Sequence, residues 1–417
     1  MKILVLNCGS SSVKYQLMDT KISLTLAKGM VERIGMNSAV LTHEPHGKEK
    51  IRIVGEILDH TIALEYVIAV LLSPNHGVIK DKNEIDAVGH RVVHGGETFS
   101  GSVLITKQVM QALSDNIELA PLHNPPNIKG IKAAIKHLPN IPQVSVFDTA
   151  FHVNMPRYAF LYGIPRTLYK KYKIRRYGFH GTSHRFVSAR AAFLMGKPIE
   201  ELKIITAHLG NGASMAAIKN GKSVDTTMGF TPLEGLLMGT RCGDMDPSVI
   251  TYIMGKEGLT LAEANTLMNK HSGLIGVSGE SSDMREIEEA MESGNTRAKD
   301  AFDVFSYRIK KYIGAYTAAM GGLDAIIFTG GIGENSINVR SAVCDNMQYL
   351  GIELDANRNE HAKGEAELSS ASSRVKVFRI PTNEELVIAL DTERIVNEQI
   401  EAKEEEKNNE EDEILFN

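Results

Sequence analysis

The chain has 417 residues, more than one hydrophobic core ordinarily serves, so two domains of roughly 150 to 250 residues are expected. Its 46 basic and 51 acidic residues leave a formal net charge of −5 with no Lys/Arg block and no basic stripe interleaved with aromatics, which speaks against nucleic acid as a partner. No apolar run is long enough to span a membrane, and the opening Met1–Leu6 reads as a strand rather than a signal peptide because Asn7 and Gly9 interrupt it without a cleavage site, so the expected location is the cytoplasm.

In chain order, strands are expected near 2–8 and 12–18, a helix near 56–72, a strand near 85–93, a helix near 124–137 and a strand near 142–147, the alternation of a mixed α/β layer. A second cycle follows. It holds a helix near 181–195 closed by Gly196, strands near 203–209 and 213–219, a long helix near 296–320 ending at Gly321-Gly322, a strand near 324–329 and a helix near 336–350. Thr382-Asn-Glu384-Glu385 reads as a capping box for a last helix, with Thr382 as the cap and Glu385 three positions on. From about residue 400 the chain is strongly acidic and is expected to be frayed or disordered.

Two of the strand pairs carry the same device. Asn7-Cys-Gly-Ser10-Ser-Ser12-Val-Lys14 and His208-Leu209-Gly210-Asn211-Gly212-Ala-Ser214 both turn on glycine with polar side chains around the turn, aiming N–H groups and hydroxyls into a concavity suited to phosphate. Two copies imply two halves acting on one ligand. A third strand ends in Thr329-Gly330-Gly331, whose bare backbone suits a flat base. One such turn would be no more than a tight hairpin; three with strand context point to a nucleotide. Neither common phosphate motif explains them: Gly221-Lys222-Ser223 lacks the Walker glycine, since position 216 is alanine, and Gly210-Asn-Gly212 and Gly331-Ile-Gly333 lack the third glycine of the dinucleotide fingerprint.

Cys8, Cys242 and Cys344 have no paired spacing and are expected as reduced thiols, with Cys8 and Cys242, though inside the suspected site loops, read as small buried filler. Polar clusters fall at strand ends or in Gly/Pro loops: His90-Arg91-Val-Val93-His94, Leu122-His123-Asn-Pro-Pro, Phe147-Asp148, Arg175-Arg-Tyr-Gly-Phe179-His180 and Gly239-Thr-Arg241-Cys-Gly-Asp. Their residue types suit transfer to an anionic acceptor. His180 and His184 have the spacing of a zinc-protease pair but lack its glutamate, so a zinc hydrolase is disfavoured and His184 is read as a packing residue.

Residues 3–14 and 204–214 resemble the two signature segments of the acetate kinase family, and the loop clusters follow in that family's order from Met1 to about Glu398. The resemblance implies the superfold shared by sugar kinases, chaperone ATPases and actin: α/β, a duplicated actin-like or ribonuclease-H-like two-domain clamp with mixed sheets flanked by helices. It implies one lobe of 1–149 plus 385–417, with the C-terminal helix returning to it, and a nucleotide-binding and dimerisation lobe of 150–384. The activity implied is reversible transfer of the ATP γ-phosphoryl group to acetate, giving acetyl phosphate and ADP, with Mg²⁺ (Mn²⁺ substituting), in a homodimer.

By the same resemblance, Arg91 and Arg241 serve the acetate carboxylate and the transferring phosphoryl group, His180 and His123 add donors, and Asp148 completes the catalytic set. Acetate is an anion at neutral pH and needs no base, so an orienting or Mg²⁺-water role suits Asp148 better. Val93, Leu122, Phe179 and Pro232 are implied as the pocket for the acetate methyl, and Asn7 and Glu384 as magnesium positions. Phosphate contacts are implied for Ser10, Ser12, Lys14, His208, Leu209, Gly210, Asn211 and Gly212, and adenosine contacts for Asp283, Met284, Arg285, Gly331, Ile332, Gly333, Glu334 and Asn335. Two alternatives stay open: a kinase of propionate or another short carboxylate, and a nucleotide-switched binding protein on the same fold.

Overall fold

Ile3 to Leu6 are buried throughout, and this aliphatic run forms the central strand β1 (Lys2–Cys8) of an eight-stranded mixed sheet. The computed structural model describes residues 1–416, with the side chains of 403 and 406–416 left undescribed. Antiparallel hairpins carry β1 outward through β2 (Ser12–Asp19), β3 (Leu24–Glu32), β4 (Ala39–Pro45) and β5 (Ile51–Gly55). On its other side β1 pairs in parallel with β6 (Ala87–Val92), which pairs in parallel with β8 (Gln143–Phe147); the short β7 (Val103–Leu104) closes the edge.

The second sheet repeats the scheme. Here β9 (Lys203–Leu209) is central, antiparallel to β10 (Ala213–Lys219), which pairs with β11 (Lys222–Thr226). On its other side β9 is parallel to β12 (Ala325–Thr329), which is parallel to β14 (Lys376–Arg379), with β13 (Ala366–Glu367) at the edge. The orders β3-β2-β1-β6-β8 and β11-β10-β9-β12-β14 match strand for strand in pairing and direction, so the duplication implied by the Gly-rich turns is the fold itself. Each sheet belongs to its own compact unit: Met1–Ala150 together with the chain from Asn383 onward, and Phe151–Thr382.

Helices cover each sheet for local reasons. In the first unit, Asp59 Oδ1 accepts from the amides of Thr61 and Ile62 and starts the helix His60–Leu71, whose Ala63, Leu64, Val67 and Leu71 join the core over β1 to β4. The helix Asn124–His137 lies against the turn end of β1, where a Cβ on Gly130 would meet Cys8 Sγ at 2.3 Å, so only glycine allows this approach. The terminal helix, which begins at Glu384, buries Ile388, Ala389 and Val396 against Ile3, Val5, Val144 and Val146. In the second unit the helix Thr296–Met320 is capped by Asn295 and stopped by Gly321 at φ 71°, as its sequence predicts.

Three expectations differ from the structure. The segment 336–350 is not one helix: Ile337–Cys344 stops at Asp345, Asn346 takes a left-handed φ of 54°, and a separate turn spans Gln348–Leu350. Thr382 does not cap the last helix; Asn383 Oδ1 accepts from Leu386 N, while the Thr382 hydroxyl donates to Ser183 Oγ at 2.8 Å, because a longer-range partner satisfies it. The acidic segment from residue 400 continues the helix to Phe416, its Glu, Ala and Lys being strong helix formers, whereas Asn417 lies outside the described residues.

Candidate active site

In the first unit, the parallel strands β6 and β8 bring Arg91 and Asp148 to adjacent strand ends. The guanidinium donates through Nε to Asp148 Oδ1 at 3.0 Å and through Nη2 to Oδ2 at 2.6 Å, a two-pronged pair. Asp148 is almost wholly buried, so its charge depends on this partner. Glu384, the first residue of the terminal helix, lies 3.9 Å from Arg91 Nε. Burial, with Asp148 and Glu385 as like-charged neighbours, pushes the Glu384 carboxyl up to about 6 in spite of Arg91 and Lys14.

A cavity of about 350 Å³ opens here, lined among others by Asn7, Lys14, Gln16, Glu32, Arg91, Glu384 and Glu385. Strand alternation explains two of its walls, because Lys14 and Gln16 lie on one face of β2, the face that also carries Ser12 outside the cavity. Gln16, Glu32 and Glu385 were not foreseen, and this period of two was the signal for Gln16. Ser10 is exposed in the turn, where Gly9 N bonds Ser12 O at 2.8 Å. His123 precedes the helix Asn124–His137 and is exposed, as is Leu122 at 76 %; Val93 is half-buried, its N–H donating to Asn127 Oδ1.

In the second unit, His180 precedes the helix Gly181–Met195 in a left-handed conformation (φ 55°), which swings its ring out over the β9–β10 turn. Its Nδ1 shares a hydrogen bond with Ser214 Oγ at 2.9 Å, and its ring stacks on His208 with centroids 4.3 Å apart. His184 bridges Thr206 and Ser214 from full burial, a supporting role in which it also braces the serine that holds His180. A Cβ on Gly212 would lie 3.5 Å from Arg241 Nη1 and 3.7 Å from His180 Cε1, so the arginine and the histidine both face this turn. Arg241 donates to Pro232 O at 3.2 Å and contacts Met238 Sδ; among the described residues it has no carboxylate partner, and burial lowers its pKa. Phe179 is buried and Pro232 half-buried.

The same turn borders a second cavity, of about 510 Å³, lined by Gly210, Asn211, Asp283, Met284, Arg285, Gly331, Ile332 and Asn335 together with Ser282, Glu288 and Ser336. Asp283 is the N-cap of the helix Met284–Glu292, accepting from Arg285 N at 2.9 Å, and its carboxylate also pairs with the Arg285 guanidinium. Glu288, unforeseen, lies one helical turn beyond Met284, and that spacing was its signal. Leu209, Gly333 and Glu334 frame this cavity without lining it: Leu209 is buried in β9, Gly333 is buried beneath the turn, and Glu334 Oε1 accepts from Gly330 N and Thr382 N. Gly331 itself is open, a built Cβ meeting nothing within 4 Å.

The model of the acetokinase family matches residues 2–390. The chain belongs to the acetokinase family. It is 58 % identical over 396 residues to an acetate kinase of Desulfitobacterium hafniense, covering 95 % of this chain and 99 % of that one. Among solved structures, it is similar to Porphyromonas gingivalis acetate kinase (52 % identity, TM-score 0.92, covering 95 % and 99 % of the two chains) and to a propionate kinase from Francisella tularensis (42 % identity, TM-score 0.88, covering 94 % and 99 %). The family match therefore spans both units and stops within the terminal helix.

Proposed function

We propose that the chain transfers the γ-phosphoryl group of ATP reversibly to acetate, giving acetyl phosphate and ADP by direct in-line transfer. The observation that carries this reading is Arg241, a half-buried cation facing the Gly-rich turn whose hydrogen-bond partners among the described residues are a carbonyl and a thioether. Such a group is stabilised when an anion arrives, and both a carboxylate and a phosphoryl group match its fork. The acceptor anion needs no general base. It needs relief from repulsion by the incoming polyphosphate, so catalysis here is charge neutralisation and alignment.

In this reading Arg241 and His180 stabilise charge on the transferring group, with His123 as a further donor, and Arg91 orients the carboxylate. Asp148 holds the Arg91 fork flat and fixed, which its two-pronged bond supports. The β9–β10 turn, with His208, Gly210, Asn211 and Gly212, and the β1–β2 turn, with Ser10, Ser12 and Lys14, take the phosphates; the cavity with Asp283, Met284, Arg285, Gly331, Ile332 and Asn335 takes the adenosine. Phe179, Pro232, Val93 and Leu122 bound the methyl group.

A divalent ion, Mg²⁺ by preference, would be held by Asn7, Glu384 and waters oriented by Asp148. The fit rests on donor chemistry: all three offer hard oxygens, and a Glu384 carboxyl still pushed up to about 6 beside Arg91 is short of positive charge. When bound, the ion shields the polyphosphate charge. A homodimer is proposed through the second unit, where the helices Pro247–Glu257 and Leu261–Lys270 expose Val249, Tyr252 and Leu261.

Trapping acyl phosphate as its hydroxamate with ATP, Mg²⁺ and a panel of short acids tests reaction class and acceptor together. Acetate should give the highest kcat/KM. Equal or greater kcat/KM with propionate would favour the second reading, which the likeness to a propionate kinase supports. ATP consumption indifferent to added acid would overturn both.

A further inference from the structure

We propose that Glu234, with Tyr162 and Arg176, is the positioning group that sets how long an acid the second unit accepts, an inference resting on the carboxylate-kinase reading. The segment from Thr227 to Arg241 has no strand or helix of its own, yet it carries Pro232 and Arg241. Something other than a backbone ladder must fix its path.

The fixing contacts converge on one carboxylate. Arg176 donates through Nη2 to Glu234 Oε1, and its Nη1 donates to the carbonyls of Thr226 at 2.7 Å and Thr227 at 3.0 Å. The Tyr162 hydroxyl donates to Glu234 Oε2 and accepts from Phe230 N at 2.8 Å. Both oxygens of Glu234 are thus engaged, each by a group that also grips the backbone of the same segment. Gly229 sits against this knot, since a Cβ there would fall 1.7 Å from Glu234 Oε2 and 2.3 Å from the Tyr162 hydroxyl. Gly229 O in turn accepts from Tyr177 N at 3.1 Å and Gly178 N at 3.3 Å, immediately before Phe179 and His180.

Glu234, Tyr162 and Arg176 therefore act through others. Two residues before Glu234, Pro232 offers its carbonyl to Arg241 Nη1 at 3.2 Å, so the knot fixes an apolar wall and the partner of a guanidinium at once. Its ring bounds the acid's alkyl group, and its carbonyl holds the cation that faces the transferring group. Burial and the adjacent Glu234 push the Tyr162 hydroxyl above its usual value, which keeps it a donor at any working pH. The ion pair is only partly exposed, so removing one charge leaves its partner poorly solvated and frees the segment.

Steady-state kinetics of the full chain with acetate, propionate and ATP, on Glu234→Gln and Tyr162→Phe, test this. Each variant should raise KM for acetate about 10-fold and shift the propionate-to-acetate ratio of kcat/KM about 5-fold toward propionate, the scale on which one methylene is discriminated. KM for ATP should stay within about 2-fold. The double variant should show little more than the larger single effect, because both remove parts of one contact. Tyr162→Phe, which preserves volume, guards against a folding defect in Glu234→Gln. An unchanged acid ratio in both variants, or a parallel fall of all constants with Tm, overturns the inference while leaving the kinase reading intact. A wild-type protein that forms no hydroxamate with any short acid overturns both.

Discussion

In the first unit Arg91 is gripped by Asp148 and faced by Glu384, whereas in the second Arg241 meets a carbonyl and a thioether and, among the described residues, no carboxylate. Opposite charge raises the pKa of Arg91, and burial lowers that of Arg241. The sheets carrying them share one strand order, so topology does not cause the difference. Side-chain supply does: β8 delivers a carboxylate beside β6, while the segment after β11 offers Arg241 a carbonyl and a thioether. One arginine is compensated in advance and so rigid; the other is left for an incoming anion to compensate. On the proposed mechanism, the first arrangement serves stability and the second would supply catalytic leverage.

Arg241→Ala breaks the comparison at its most sensitive point. We expect kcat to fall about 10³-fold, about 4 kcal/mol of transition-state stabilisation, as for loss of one preorganised donor. Kd for ATP should change little, and urea stability should hold, because an uncompensated buried charge has been removed. Near-normal turnover would refute the role. Arg91→Ala should do what Arg241→Ala does not: leave Asp148 buried without its cation, at about 3 kcal/mol of stability. Urea midpoints of the two variants measure this, and equal losses would erase the contrast.

How much of this was legible depended on where each residue's partners lie. The β1–β2 and β9–β10 hairpins were readable because aliphatic runs flank glycine turns. By contrast β3 and β5 were not, because Leu24–Glu32 and Ile51–Gly55 are half-exposed and carry charge among their apolar residues. For Asp283-Met284-Arg285, local spacing offered only a helix cap; the resemblance set them with Gly331 and Asn335, and chain reversal brings all of them to one cavity. Glu234 left no local signal, since its partners are Arg176 and Tyr162, dozens of positions away. Thr382 misled for the same reason, its hydroxyl being taken by Ser183.

The units behave alike in one respect, which keeps pH from mimicking the arginine contrast. His90 in the first and His152 in the second are buried and each pushed down from 6.5 to about 4. Each folded unit thus binds fewer protons than its unfolded chain; the stability the histidines add is whole above pH 6.5 and is lost as pH falls toward 4. At pH 5 the two together lose about 4 kcal/mol. Glu384 runs the other way: its contribution is present below 4.5 and lost as pH rises through about 6, so at pH 5 it returns only about 1 kcal/mol. Urea midpoints should therefore drop between pH 7 and 5, and a flat profile would contradict the neutral burial of both rings. For the metal, Glu384→Ala should raise the Mg²⁺ concentration needed for half-maximal rate about 10-fold, whereas Glu385→Ala should not; a shared shift would point to the helix start rather than to a ligand.

The smallest effect belongs to a third arginine, which sharpens the rule drawn from the first two. Arg285 has its own carboxylate, as Arg91 does, with Nη2 donating to Asp283 Oδ2 at 2.6 Å, but its side chain is 82 % exposed. Water already screens an exposed pair, so pairing there contributes little. Arg285→Ala should raise KM for ATP about 3-fold with kcat and urea stability unchanged, because screening keeps any exposed ionic contact weak. If Arg285→Ala instead matched the stability loss of Arg91→Ala, pairing alone would be the source of rigidity; if it did not, burial of the paired carboxylate is what makes the Arg91–Asp148 bond a fixed part of the fold.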